Sequence, residues 1–156
     1  MAKAREVPGL HAFLPYREAA AATVRVRVAE LFDAQDGVLD TEDIEGVHAM
    51  RVATRRLRAV LEIYRPCFDP ELYAPVLRDV KALADALGAR RDPDVQLAAL
   101  HALAAAMPRA DLAGIDLLAE EVRSEQDQGN ELLAVALAES GRSDLSGRLL
   151  ALVETA

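Results

Sequence analysis

Hydrophobic and polar positions along this chain recur mostly at helical spacing. Pro15 marks the start of a first predicted helix that runs to about Asp33. Within it Val24-Arg25-Val26-Arg27-Val28 alternates as a strand would. The surrounding Ala-rich run outvotes those five residues, because no partner strand exists elsewhere. Gln35-Asp36-Gly37 breaks the helix, and Asp40-Thr41-Glu42-Asp43 supplies caps and first-turn acids for a second, predicted from about Ile44 to Arg65 and stopped by Pro66. Asp69-Pro70 opens a third helix expected to close at Gly88. Asp92-Pro93 repeats that start signal for a fourth, running to about Met107 and ended by Pro108. A fifth extends from Asp111 to roughly Glu139, with an interruption expected at Gln128-Gly129-Asn130, and Ser143-Asp144 caps a short terminal piece.

Short connections between such helices predict an all-α antiparallel helical bundle. Residues 1–9 read as a flexible N-terminus ending at Pro8-Gly9, and residues 10–156 as a single helical domain. No composition shift, solenoid repeat or low-complexity linker divides it.

The second helix departs from ordinary patterning. Between Gly46 and Arg65 it carries Arg51, Arg55, Arg56, Arg58 and Arg65 against the single acid Glu62. That window is +4 in a chain of formal net charge −8, so the remainder is −12. At about 100° per residue, Arg55, Arg51, Arg58 and Arg65 fall within roughly 100° of His48 on one side. Met50, Ala53, Leu57, Val60, Leu61 and Tyr64 occupy the far side and predict the core face. Arg51 to Arg65 spans about 21 Å at 1.5 Å per residue, a length suited to a linear polyanion.

Like charges three and four apart repel, so the strip contributes nothing to helix stability. A merely solvated face would mix signs and use Lys and Glu freely, whereas this one is nearly all Arg. Arginine's planar fork makes paired hydrogen bonds to a phosphate or carboxylate and stays charged at any relevant pH. Arg56 lies about 80° from His48 on the other side, where it could instead pair with an acid on a neighbouring helix. Arg78 and Lys81, three apart on the third helix, share a face and extend the basic surface. Arg17 and Arg25 are read evenly as groove or solvent residues, and Arg90 as exposed.

The pattern Val47-His48-x-x-Arg51-Val52-x-x-Arg55-Arg56-Leu57-Arg58 resembles the signature of the CHAD domain, a histidine-containing α-helical domain that binds inorganic polyphosphate. Leu87-Gly88-x-x-Arg91-Asp92-x-Asp94-Val95 is similar to that family's second motif, in the expected order and at the expected distance. The resemblance implies non-catalytic polyphosphate binding by His48, Arg51, Arg55, Arg56 and Arg58 on one wall and Arg78, Lys81 and Arg91 on another. Arg91 would face the ligand, with Asp92 capping the fourth helix and orienting it. It covers roughly the first half of a CHAD domain, about residues 10–140, because no second basic helix follows Arg91. The expected chain is therefore either part of a longer protein or one of two copies that pair as a homodimer to complete the groove.

His48 is better read as a phosphate donor than as a metal ligand, because only Glu45 lies near it in sequence. His11 and His101 have no chelating partners and read as structural or surface residues. No metal or cofactor is expected. The chain also lacks a Gly-rich phosphate loop, a nucleophile elbow, a His-Glu-x-x-His pair and the Glu-x-Glu-x-Lys strand of the triphosphatase domain often joined to CHAD domains, so it is not expected to be an enzyme.

Acidic balance and only six aromatic residues disfavour nucleic acid as a partner. The lone Cys67, the absence of a signal-peptide pattern and the short apolar runs point to the cytoplasm, with no membrane association. The polyphosphate reading adds polyphosphate granules as a location. The competing reading is a protein-interaction or regulatory subunit that binds an acidic partner, or presents polyphosphate to a separate enzyme.

Overall fold

A computed structural model describes residues 3–156, apart from the side chain of Ala110; Met1 and Ala2 of the expected flexible N-terminus lie outside the described residues. Among the described residues there are five α-helices and no strand. They are α1 (Tyr16–Asp33), α2 (Ile44–Ile63), α3 (Pro70–Ala106), α4 (Leu112–Arg142) and α5 (Leu145–Val153). Short 3₁₀ turns at Arg65–Cys67 and Arg109–Asp111 precede α3 and α4. No helix among the described residues is long and apolar enough to cross a membrane.

Local chemistry sets the starts. The Asp43 carboxylate accepts from the Glu45 and Gly46 N–H groups at 3.0 and 3.4 Å, and that of Asp69 accepts from Glu71 N–H at 2.8 Å. Asp144 reaches a left-handed φ of 47° to cap α5, accepting from Gly147 N–H at 3.1 Å.

The main core takes one stripe from each helix: Ala20, Val24, Val28 and Leu31 of α1; Val47, Met50, Leu57 and Leu61 of α2; Val76, Val80, Leu83 and Leu87 of α3. Leu133 and Leu137 of α4 and Leu145, Leu149 and Leu152 of α5 complete it. Met50, Ala53, Leu57 and Leu61 are buried as the arginine-helix pattern predicts, with Val60 and Tyr64 half-buried. The strand-like alternation in α1 becomes a helical face: Val24 and Val28 enter the core while Arg27 turns to a buried ion pair with Glu30.

Two expected boundaries do not exist. The predicted third and fourth helices are one, α3, which passes through Gly88, Asp92 and Pro93 without a break. Asp92 therefore caps nothing. Helix α4 packs antiparallel along α3, and a buried ion pair (Arg90 Nη1 to Asp94 Oδ1, 2.5 Å) spans the place where the break was expected. Arg90 itself is fully buried rather than exposed. Continuity at Gln128-Gly129-Asn130 is likewise unbroken. Beyond this point the α3–α4 pair forms a second, smaller core from Leu97, Ala119 and Val122, with Leu100 against it.

Candidate functional site

Helices α2 and α3 pack against one another, and the polar edge of α2 opens onto their junction. A cleft of about 420 Å³ there is lined by Arg51, Arg55 and Arg58 of α2 and by Asp85, Asp92 and the small residues Ala84, Gly88 and Ala89 of α3. The small residues give the cleft its depth, because side chains shorter than a turn's width leave room between the helices. Arg51 and Arg55 are exposed, and neither forms an ion pair or hydrogen bond with another side chain among the described residues. Arg58 Nε lies 3.6 Å from Glu62 Oε1, one turn along its own helix.

Asp85 also lines a second cavity, of about 960 Å³, that continues along the same junction. Its floor is Phe68, Tyr73 and Leu77, and its cations are Arg65, Arg78 and Lys81, opposed by Glu62 and Asp85. The Arg65 guanidinium sits 5.9 Å from the Tyr73 ring centre. Burial raises the Tyr73 phenol above its usual range against the opposing pull of Arg65, with a smaller upward push from Glu62. The two cavities together carry six cationic side chains and three carboxylates, Glu62, Asp85 and Asp92.

Of the eight predicted site residues, Arg51, Arg55 and Arg58 line the first cleft and Arg78 and Lys81 the second. His48 is half-buried one turn before Arg51 and lines neither. Arg91 is 82% buried by side-chain area and its Nη1 lies 3.7 Å from Asp94 Oδ2, so it is held on its own helix rather than at a junction between two. Arg56 turns toward α1, with Nη1 3.9 Å from Glu30 Oε1, as its angular offset allows. It lines a separate 300 Å³ cavity with Lys3, Arg5 and Asp33.

Glu30 gathers three cationic residues. Burial pushes its carboxyl up, yet the Arg5 N–H at 2.5 Å and the Arg27 and Arg56 guanidiniums outweigh this and hold it below the usual carboxylate range. Arg17 and Arg25 are also engaged structurally, Arg17 with the Cys67 carbonyl at 3.0 Å and Arg25 with Glu154 at 2.5 Å.

Sequence reasoning missed Asp85 and misassigned Asp92. A signal was present: Lys81, Asp85, Gly88 and Asp92 recur at spacings of four, three and four, which places them on one face of a continuous helix. The expected break at Gly88 hid it.

The sequence matches the family model of the CHAD domain over residues 22–156. The chain belongs to the CHAD family. Its fold is similar to the crystal structure of the CHAD domain from the plant Ricinus communis, with a TM-score of 0.72 and 26% identity over 97% of this chain. The match covers 51% of that structure's chain, so this CHAD chain spans about half the length of its solved relative. No curated protein matches it. The all-α architecture expected from the helical spacing and from the two motifs is thus the architecture found.

Proposed function

We propose that this CHAD chain binds inorganic polyphosphate, or a similarly linear polyanion, along the α2–α3 junction without altering it chemically. The carrying observation is the pair Arg51 and Arg55, exposed one turn apart at the cleft with no acid engaging either. Family membership supplies the ligand class. Arg58 of α2, Arg65 of the turn that follows it, and Arg78 and Lys81 of α3 would continue the contact along both cavities.

His48, half-buried one turn before Arg51, would add a hydrogen-bond donor beyond the cleft. The arginine and lysine side chains would displace counterions condensed along the phosphate chain, so affinity should fall steeply with salt. Cations without a metal site or an activated nucleophile stabilise a phosphate chain but do not cleave it.

Titration calorimetry of long-chain polyphosphate into the wild type and an Arg51→Ala/Arg55→Ala variant tests the reading. Salt-dependent binding that disappears in the folded variant is expected. A well-folded wild type that does not bind, or a variant that binds equally, overturns it. Phosphate released by the purified chain would overturn the non-catalytic part.

A further inference from the structure

The cavity of about 960 Å³ at the α2–α3 junction has features for which a bare phosphate chain has no use. Its floor of Phe68, Tyr73 and Leu77 is apolar. The Phe68 and Tyr73 rings lie 10° from parallel with centres 6.3 Å apart, and pack as one aromatic wall. Phosphate oxygens gain nothing from such a surface, because they leave water only for charge or hydrogen bonds. Glu62 and Asp85 line the same cavity and repel an anion. The neighbouring cleft differs, since Arg51, Arg55 and Arg58 face only small residues and carboxylates there, with no aromatic wall.

Tyr73 adds a polar group in need of a partner. The residue is only 6% exposed, yet its hydroxyl forms no hydrogen bond among the described residues. Arg65 and Glu62, which line the cavity with it, lie near enough to bias the phenol, and burial holds it in the protonated, donating form. A hydroxyl so deeply placed is normally paired. The cavity is where a ligand can reach it.

We infer that this cavity is a nucleoside subsite and that the chain takes nucleoside polyphosphates, with the organic end on the Phe68–Tyr73–Leu77 floor and the phosphates running into the Arg51–Arg55 cleft. The inference rests on the polyphosphate reading of that cleft and narrows its ligand. Asp85 borders both cavities, so one ligand can pass from one to the other. A nucleoside matches each feature that a phosphate chain does not. Its base is a flat, largely apolar body for the floor, its amino and ribose hydroxyl groups donate to Glu62 and Asp85, and its ring nitrogens or ribose oxygens accept from the Tyr73 hydroxyl. Arg65 offers a planar guanidinium for stacking, and Lys81 offers a charge for the first phosphates. A lipid tail would cover the floor but leave both carboxylates and the hydroxyl against hydrocarbon. The volume lies within the range of about 300–1,000 Å³ usual for small-molecule sites.

Calorimetric titration with adenosine 5′-tetraphosphate and with inorganic tetrapolyphosphate, in buffer free of divalent cations, tests the inference. The two have equal numbers of phosphates, and the nucleoside form carries one fewer negative charge. Charge alone therefore makes it the weaker ligand. The expected result is the reverse, a preference for the nucleoside form of about tenfold or more. Tyr73→Phe, which removes the hydroxyl alone, should reduce that preference roughly two- to tenfold. Ala74→Gln, at an exposed position of α3 on the cavity, should abolish it by filling the space. A preference that both folded variants keep overturns the assignment to this cavity. Long-chain polyphosphate that binds while the nucleoside form shows no advantage overturns this inference and leaves the cleft reading standing. Binding of none of the three overturns both.

Discussion

Gly129 of α4 meets α3 at the Ala89 carbonyl, where a Cβ on residue 129 would lie 2.6 Å from the oxygen and 2.9 Å from the carbon. Ala89 is the residue whose carbonyl a helical N–H at position 93 would bond, and Pro93 has no N–H. The close crossing and the proline thus fall at one place. Gly129→Ala forces two backbones apart and is expected to destabilise by about 1–3 kcal/mol. Gly88→Ala, whose Cβ would meet nothing within 4 Å, should instead stabilise by up to about 1 kcal/mol through helix propensity. Urea denaturation of the two variants should therefore move in opposite directions.

The Arg90–Asp94 pair is closed to solvent on both sides, and Asp94 also accepts from Gln126 at 2.6 Å while Arg90 donates to Asn130 at 3.2 Å. Removing one charge strands the other, so Asp94→Ala should cost about 3–5 kcal/mol. Replacing both by apolar residues of similar volume should cost much less. A double-mutant cycle measured by denaturation checks this, and equal losses for single and double variants would contradict it.

Glu30 and Asp79 both have carboxyl groups held low in the fold. For Asp79, burial raises the carboxyl, but hydrogen bonds from Arg148 and Arg78 outweigh it. A carboxyl depressed in the folded state gives stability that is present above its unfolded value and lost as pH falls through the folded one. Those unfolded values are 4.5 for Glu30 and 3.8 for Asp79, so stability should decline below about pH 4.5. Thermal melts across that range should fall less steeply for Glu30→Gln, although that variant starts from a lower midpoint near neutrality.

Asp85 and Asp92 sit among the cations of the cleft and oppose an anionic ligand. Neutralising them with Asp85→Asn/Asp92→Asn should tighten polyphosphate binding several-fold at low salt, with the gain shrinking as salt screens the site. Calorimetry at two ionic strengths distinguishes this from a positioning role, in which binding would weaken.

His48→Ala should weaken polyphosphate binding several-fold by removing an N–H donor next to Arg51. Calorimetry that finds unchanged affinity in the folded variant would remove His48 from the ligand contact.

Helix α2 was legible in the sequence because its two faces differ in chemistry: Met50, Leu57 and Leu61 have no stable place in water, and Arg51 and Arg55 have none in an apolar core. The caps at Asp43 and Asp69 were legible for the same local reason, a carboxylate close to free N–H groups. Together with two motifs at fixed spacing, those features determined an all-α CHAD chain and its arginine strip.

Only the tertiary structure decided whether α3 runs on through Gly88 and Pro93. Asp-Pro is a start signal by local propensity, but packing against α4 and the buried Arg90–Asp94 pair stabilise a continuous helix there. It also decided which charges meet. Arg56 reaches Glu30 on another helix, and Asp85 and Asp92 enter the cleft of Arg51 and Arg55. Charge pairing depends on distance through space, and spacing along one helix fixes only the face on which a residue stands.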